Sequence, residues 1–228
     1  MTRLAIFDLD GTLLDTVSDL GNATNFALEK CGFPARPTSD YYQLVGRGIY
    51  NLFRGAMQPR DPSLERIPAE TIEESVPRMA SFFIPYYERH KCDCTVPYEG
   101  IPEMLRNLRS KGVALAVASN KYQDGAEKLV RHFFPDLEFL MILGQREGQP
   151  IKPDPAIVGQ IMACDPSLRA DEVVYVGDSN VDMMTGKNAG VRTVGVTWGF
   201  RSAQELLSCN PSALVGTAAQ LEEEILKN

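Results

Sequence analysis

Residues 4–12 read Leu4-Ala5-Ile6-Phe7-Asp8-Leu9-Asp10-Gly11-Thr12. Four apolar residues followed by Asp-x-Asp-Gly predict a buried strand that ends in a tight turn. Because side chains alternate along a strand, we expect Asp8 and Asp10 to leave the same face at its carboxyl end, where open parallel sheets bind their ligands. Paired carboxylates there can hold a hard cation or share acid, base and nucleophile roles. They could also only form a turn, since Asp-Gly is common in turns.

The composition is that of an ordinary globular protein. The chain has 228 residues, 44% hydrophobic and 23% charged, which allows one or two domains with a sizeable core. The formal net charge of -7 argues against non-specific nucleic-acid binding, which needs a basic face. No apolar stretch approaches the roughly 20 residues of a membrane span, and Asp8 and Asp10 interrupt any signal-peptide pattern. We therefore expect neither nucleic acid nor membrane as a partner.

The cysteines and histidines exclude some chemistry. Five cysteines without framework spacing favour a reducing cytoplasm. The stretch His90-Lys91-Cys92-Asp93-Cys94 resembles a metal site superficially, but structural zinc usually takes four ligands from paired spacings, and an ordinary linker is the other interpretation. With only His90 and His132 in the chain, a Ser-His-Asp mechanism is not favoured.

The chain contains two regions with different patterns of apolar residues. From about residue 96 onward, short apolar runs alternate with helical patterns. The predicted strands are residues 113–118, 139–143, 173–176 and 193–196, and the helical stretches centre on residues 104–108, 126–133, 157–162 and 183–189. Such alternation predicts a parallel sheet covered by helices on both faces, and residues 4–7 belong to it by composition.

Residues 15–95 are mostly helical instead. Apolar residues recur at helical spacing in residues 20–31 and 49–57, and a third stretch runs over residues 69–90. Pro77 and Pro85 interrupt that third stretch, so kinks or breaks are expected there. We therefore predict a discontinuous α/β core domain, residues 1–14 plus 96–228, and a helical cap domain over residues 15–95.

Two further predicted strands end in residues suited to phosphate. Ser119-Asn120-Lys121 follows the strand that ends at residue 118 and precedes a helix, so a hydroxyl and free backbone N–H groups could bind an anion; Ser119 could equally be a helix N-cap. In Ile151-Lys152-Pro153-Asp154-Pro155, Lys152 suits a transferring phosphoryl group, or it is a solvated surface lysine.

The fourth strand end adds carboxylates. It reads Gly177-Asp178-Ser179-Asn180-Val181-Asp182. Asp178 would join Asp8 and Asp10 in an oxygen-rich site suited to Mg²⁺ rather than zinc. Asp182 could belong to the same site, or it could instead cap the following helix. Four such motifs at successive strand ends together favour catalysis over turns and caps.

This ordered set of motifs resembles the haloacid dehalogenase superfamily, in its phosphatase branch with a helical cap inserted after the first strand. The resemblance is carried by residues 8–12, Ser119-Asn120, Lys152-Pro153 and residues 177–182. Within the superfamily, the chain is most similar to phosphoglycolate phosphatases. This likeness is carried by four softer motifs, which sugar-phosphate phosphatases and nucleotidases share in part: Val45-Gly46-Arg47-Gly48, Ser119-Asn120-Lys121, Lys152-Pro153-Asp154-Pro155 and Gly195-Val196-Thr197-Trp198-Gly199-Phe200. The resemblance implies a Rossmann-like three-layer parallel sheet core and covers almost the whole chain.

The resemblance also implies a mechanism. Asp8 would attack phosphorus to form an aspartyl-phosphate, and Asp10 would protonate the leaving alcohol and then deprotonate water. Mg²⁺ would be held by the side chains of Asp8 and Asp178 and the carbonyl of Asp10, with Asp182 supporting the metal site. The implied phosphate-binding residues are Thr12, Ser119, Asn120 and Lys152.

The residues that determine substrate specificity would then lie mainly in the cap. Gly46-Arg47-Gly48 precedes a helical pattern and could bind a second anion, such as the carboxylate of 2-phosphoglycolate; an ordinary interhelical turn is the alternative. Arg54 could share this role or be a surface charge.

Several functions are compatible with these motifs. The acid at position 10 favours phosphate esters over carbon–halogen bonds, because the similar dehalogenases lack it. A small phosphorylated metabolite is the expected partner, and the chain could be a monomer or a homodimer. The alternatives are a broader phosphatase acting on pyrophosphate, sugar phosphates or nucleotides, a β-phosphoglucomutase-like phosphotransferase, and a regulatory binding protein without turnover.

Overall fold

The computed structural model describes residues 1–61 and 63–227. Within it the chain forms two compact units, one made of residues 1–15 with residues 96–227 and the other of residues 16–95. The first unit is discontinuous in sequence because the second is inserted directly after Asp15.

The first unit is built on a six-stranded sheet, and all its strand pairs are parallel. The strands of this unit are β1 (Leu4–Phe7), β2 (Leu14–Asp15), β3 (Val96–Pro97), β4 (Ala114–Tyr122), β5 (Met141–Gln145), β6 (Val173–Gly177), β7 (Arg192–Val196) and β8 (Ala213–Val215). The sheet has the order β5-β4-β1-β6-β7-β8, and β2 pairs with β3 in a separate antiparallel ribbon.

Helices cover both faces of this sheet. All four residues of β1 are fully buried: Leu4 and Ile6 pack into one apolar cluster, and Ala5 and Phe7 into the other. Burial on both faces explains why the strands are continuous apolar runs rather than alternating ones. The predicted α/β fold with a Rossmann-like three-layer core is confirmed.

The helices of the first unit are α5 (Ile101–Ser110), α6 (Gln123–Phe133), α7 (Ala156–Met162), a 3₁₀ turn (Ala170–Glu172), α8 (Asn180–Asn188), α9 (Ala203–Ser208) and α10 (Ala218–Leu226), numbered after the four helices of the second unit. Four helices of the first unit coincide with the predicted stretches, whereas the last two, α9 and α10, were not predicted. The alternative interpretation of Ser119 as a helix N-cap is wrong, because the N-cap residue of α6 is Tyr122. Strand β4 continues through Ser119 to Tyr122, with a register shift against β5 between Ala118 and Tyr122, and α6 begins only at Gln123.

The second unit consists of helices in the described residues. They are α1 (Val17–Cys31), α2 (Thr38–Leu44), α3 (Ile49–Met57) and α4 (Ala69–His90). Of the kinks or breaks predicted at Pro77 and Pro85, a break does not occur, since α4 runs on through both prolines. Both prolines are exposed, so the carbonyls that lose an N–H partner four residues earlier can bind water instead. Among the described residues, none of the helices has the length and apolar character needed to cross a membrane.

Candidate active site

Asp8 and Lys152 form the centre of the site. Asp8 follows β1 directly, its N–H donates to the Val176 carbonyl at 2.9 Å, and its side chain is buried. Lys152 is 3% exposed, and its Nζ forms an ion pair with Asp8 Oδ1 at 2.9 Å. The same Nζ donates to the Ala118 carbonyl at 3.0 Å. Lys152 is therefore not a solvated surface lysine but a buried cation beside the predicted nucleophile.

Asp182 takes part in the helix cap that was one of its two interpretations, and it also contacts Lys152. It is the third residue of α8, and its Oδ2 accepts hydrogen bonds from the Ser179 N–H at 3.1 Å and the Ser179 hydroxyl at 2.5 Å, which closes a capping box. Its Oδ1 accepts from Lys152 Nζ at 2.7 Å. A Cβ at Gly177 would lie 2.2 Å from the Asp182 Cβ, so only glycine leaves room for this carboxylate. Asp182 thus completes the cap of α8 with one oxygen and holds Lys152 with the other.

Asp178 is held by the loops around it. It accepts hydrogen bonds from the Thr12 hydroxyl at 3.2 Å and the Phe200 N–H at 2.7 Å. A Cβ at Gly11 would lie 2.4 Å from Asp178 Oδ2, and one at Gly199 would lie 2.2 Å from the Asp178 Cβ. The glycines therefore allow two backbone segments to close on this carboxylate. Thr12, predicted to bind phosphate, here donates to Asp178.

The carboxylates fit a divalent cation. Asp8, Asp178 and Asp182 each offer an oxygen within 4.8 Å of the others. Burial, with repulsion from Asp182 and Asp10, raises the pKa of Asp8 to about 7 against the attraction of Lys152. Burial and repulsion from Asp182 and Asp8 likewise hold the pKa of Asp178 well above its usual range. Crowded carboxylates that resist ionisation, offering only oxygen ligands, suit a hard cation such as Mg²⁺.

Asp10 forms an ion pair with a second buried lysine, Lys121. Lys121 is 4% exposed, and its Nζ lies 3.1 Å from Oδ1 and 3.4 Å from Oδ2 of Asp10. The predicted acid–base is thus paired separately from the predicted nucleophile, which contacts Lys152. Lys121 stood in a motif that the sequence singled out, but no feature of the sequence indicated its partner.

Ser119 and Asn120 form hydrogen bonds with the backbone of the two buried lysines, Lys121 and Lys152. The Asn120 Oδ1 accepts from the Lys152 N–H at 2.9 Å, and its Nδ2 donates to the Lys152 carbonyl at 3.2 Å. The Ser119 hydroxyl accepts from the Lys121 N–H at 3.2 Å. Both predicted phosphate-binding residues are buried at the site, and Asn120 fixes the backbone from which Lys152 projects.

Two residues of the site were missed from the sequence. Tyr175 donates its hydroxyl to the Ala118 carbonyl at 3.1 Å, and Lys152 Nζ lies 5.8 Å from the centre of its ring. Arg201 is 7% exposed, and its charge lowers the pKa of Asp178 against the larger effect of burial. Tyr175 lies inside an apolar strand and Arg201 lies beyond the last motif, so neither carried a sequence signal of its role.

The candidate recognition residues lie in the second unit. Gly46 and Gly48 adopt φ values of 113° and 80°, which side chains other than glycine rarely tolerate. Arg47 between them is exposed, and α3 begins directly after Gly48. Arg54 binds both carboxylate oxygens of Glu73, at 2.6 and 2.9 Å, which favours the surface-charge interpretation for Arg54.

The stretch around His90 does not form a metal site with the described residues. His90 Nδ1 contacts Asp93 Oδ2 at 2.8 Å, and Cys92 and Cys94 are free and exposed. In the described part of the chain, the only group of three or more potential side-chain ligands is that of Asp8, Asp178 and Asp182.

Fold and site together define a hydrolase of the haloacid dehalogenase kind. The chain matches the model of the haloacid dehalogenase-like hydrolase family over residues 5–196, and it belongs to that family. It is 30% identical to a phosphoglycolate phosphatase of Haemophilus influenzae over 96% of both chains, and 31% identical to that of Pseudomonas putida over 94% of this chain and 76% of the relative.

A solved structure agrees with these sequence relatives. The crystal structure of a candidate phosphoglycolate phosphatase from Lactobacillus delbrueckii superimposes with a TM-score of 0.91 and 35% identity over 100% of both chains. The resemblance predicted from the motifs is confirmed, and the protein is a phosphatase enzyme of this family.

Proposed function

We propose that the protein is a Mg²⁺-dependent phosphomonoester hydrolase that works through an aspartyl-phosphate at Asp8. The observation that carries the proposal is the buried arrangement of Asp8 between Lys152 at 2.9 Å and the carboxylates of Asp178 and Asp182. Lys152 stays protonated, because Asp182 and Asp8 outweigh the effect of burial and hold its pKa well above its usual value. A fixed positive charge at this place reduces the repulsion between an anionic nucleophile and an anionic phosphate.

The reaction takes two steps on the chain's own residues. A carboxylate oxygen of Asp8 attacks phosphorus, the bond from phosphorus to the ester oxygen breaks, and Asp10 gives its proton to the leaving alcohol. Asp10 then takes a proton from water as the water attacks phosphorus, and the bond to Asp8 breaks to release phosphate. Held by Asp8 and Asp178, with the Asp10 carbonyl, Mg²⁺ would neutralise charge on the transferring phosphoryl oxygens.

The proposed substrate is 2-phosphoglycolate or a similarly small phosphorylated metabolite. The named activity of the relatives supports this class. We assign recognition of the substrate's carboxylate to Gly46, Arg47 and Gly48, because Arg47 is an exposed guanidinium between two glycines at the start of α3. We place the activity in the cytoplasm, since all five cysteines are free thiols and a reducing compartment keeps thiols in that state.

The Asp8→Asn variant tests the mechanism. It removes the nucleophile at almost unchanged volume, so we expect phosphate release from 2-phosphoglycolate to fall by more than about a thousandfold, with the fold retained by circular dichroism. Wild-type release should also stop with EDTA and return with excess Mg²⁺. Undiminished turnover by Asp8→Asn would contradict the mechanism, and EDTA-insensitive turnover would contradict the metal dependence.

A further inference from the structure

Lys121 is buried where a lysine is rarely found. Its side chain is 2% exposed, and both carboxylate oxygens of Asp10 lie within 3.4 Å of its Nζ. Ordering a lysine side chain costs rotamer entropy, and burial adds the loss of hydration. A specific interaction must offset these costs, and the contact with Asp10 is one.

The backbone that carries Lys121 is fixed from two directions. Its N–H donates to the Ser119 hydroxyl at 3.2 Å. Gln123 follows Lys121 by two residues, and its side-chain amide links this segment to β5. The amide donates to the Ile142 carbonyl at 2.9 Å and accepts from the Gly144 N–H at 2.7 Å. A Cβ at Gly144 would lie 2.5 Å from the Lys121 carbonyl oxygen, so β5 approaches this segment as closely as a backbone can. The irregular end of β4 is therefore a rigid platform for Lys121.

We propose that Lys121 is a positioning residue for Asp10 in the hydrolysis described above, an inference that rests on that proposed function. A general acid must lie within about 2.6–3.2 Å of the leaving oxygen. An ammonium that contacts both oxygens restricts rotation of the Asp10 carboxylate. It also gives Asp10 a partner separate from Lys152, which contacts Asp8 and Asp182. Lys121 thereby holds the proton donor in one orientation.

This role predicts a dependence on the leaving group. Benzyl phosphate releases a poor leaving group that needs a proton, whereas 4-nitrophenyl phosphate releases one that does not. Neither ester carries a carboxylate, so an effect of Lys121 on binding a substrate carboxylate cannot imitate the result. The ratio kcat/KM covers the steps through aspartyl-phosphate formation, where Asp10 acts as acid.

The experiment compares Lys121→Met with wild type at saturating Mg²⁺. We expect kcat/KM for benzyl phosphate to fall about 30- to 100-fold and that for 4-nitrophenyl phosphate to fall less than about threefold. Asp10→Asn should show the same selectivity, Lys121→Arg should recover part of the loss, and the exposed Lys128→Met should match wild type. If Lys121→Met does not fold, Lys121→Gln is measured instead. Both esters are assayed with the same preparation of each variant, so that differences in the folded fraction between variants cancel in the ratio of the two kcat/KM values.

The other outcomes overturn the inference. Equal losses on both esters would make Lys121 merely structural. A loss on 2-phosphoglycolate alone would make it a contact for the substrate's carboxylate. Wild-type inactivity on all three esters would reject the proposed function itself, which separates that failure from the failure of the inference about Lys121.

Discussion

Two hydrogen bonds from one side chain fix the backbone at Lys152. Asn120 accepts from its N–H at 2.9 Å and donates to its carbonyl at 3.2 Å, and both residues are buried. Lys152 must reach Asp8 and Asp182 at once, so a small displacement of its backbone would lengthen both contacts. The position of Lys152 therefore depends on Asn120 as well as on the carboxylates that it contacts.

We expect Asn120→Ala to weaken the protein and its activity together. Two lost hydrogen bonds, with the Lys152 groups left buried, should lower the free energy of unfolding by about 2–4 kcal/mol, measured by urea denaturation. Displacement of Lys152 should lower kcat about 10- to 100-fold.

Asn188→Ala is the matched control for Asn120→Ala. Asn188 donates to the neighbouring Pro153 carbonyl at 2.9 Å but is exposed, so its loss should cost less than about 1 kcal/mol and leave kcat unchanged. If the two variants behaved alike, Asn120 would have no special role at Lys152.

At the scale of single residues, the sequence predicted the side chains that come directly after an apolar run and few others. Asp8 and Asp178 each stand at the end of a buried strand, so their place at the carboxyl edge could be predicted. The pairing of Asp10 with Lys121, 111 positions apart, depends on where the end of β4 passes, and local pattern carries no information on that. Arg201 was missed because it lies beyond the last motif, where no sequence pattern indicated its role.

At the scale of elements, the largest difference concerns β4. Polar residues from Ser119 to Lys121 are typical of a loop and a helix start, yet the strand continues to Tyr122, which pairs with Gln145 of β5. The reason is tertiary: Gln123 ties the segment to β5 through two hydrogen bonds. Because this extension of β4 depends on hydrogen bonds to a neighbouring strand, it cannot be predicted from the sequence of β4 alone.

The start of α3 gives a prediction on substrate choice. Arg47→Ala should lower kcat/KM for 2-phosphoglycolate about 10- to 100-fold, the effect of losing a charged hydrogen bond of about 1.5–3 kcal/mol, while 4-nitrophenyl phosphate should be almost unaffected. Arg54→Ala is the matched control, because Arg54 already binds Glu73, and it should change both substrates equally. Equal losses for Arg47→Ala would remove it from substrate recognition.

At the scale of the whole molecule, the buried carboxylates link stability to pH and to the cation. The pKa of Asp8 rises from 3.8 to about 7 on folding, and that of Asp178 rises well above its usual value. Above pH 3.8 the unfolded chain therefore binds fewer protons at these groups than the folded one. The contribution of Asp8 to the free energy of unfolding falls as pH rises from about 4 to about 7, by an amount on the order of a few kcal/mol. The contribution of Asp178 changes in the same direction, because its pKa is also raised.

A divalent cation should reverse this loss, since it binds the ionised carboxylates of the folded state. We expect millimolar Mg²⁺ to raise Tm clearly at about pH 7.5 and only slightly at about pH 5, where Asp8, with its pKa of about 7, is mostly protonated. Calorimetry with NaCl at matched ionic strength separates binding from screening. In Asp178→Asn, one buried charge is gone, so the metal-free protein should lose less stability between these two pH values, and Mg²⁺ should no longer raise its Tm. A Mg²⁺ shift that was equal at both pH values, or that survived in Asp178→Asn, would show that the cation binds elsewhere.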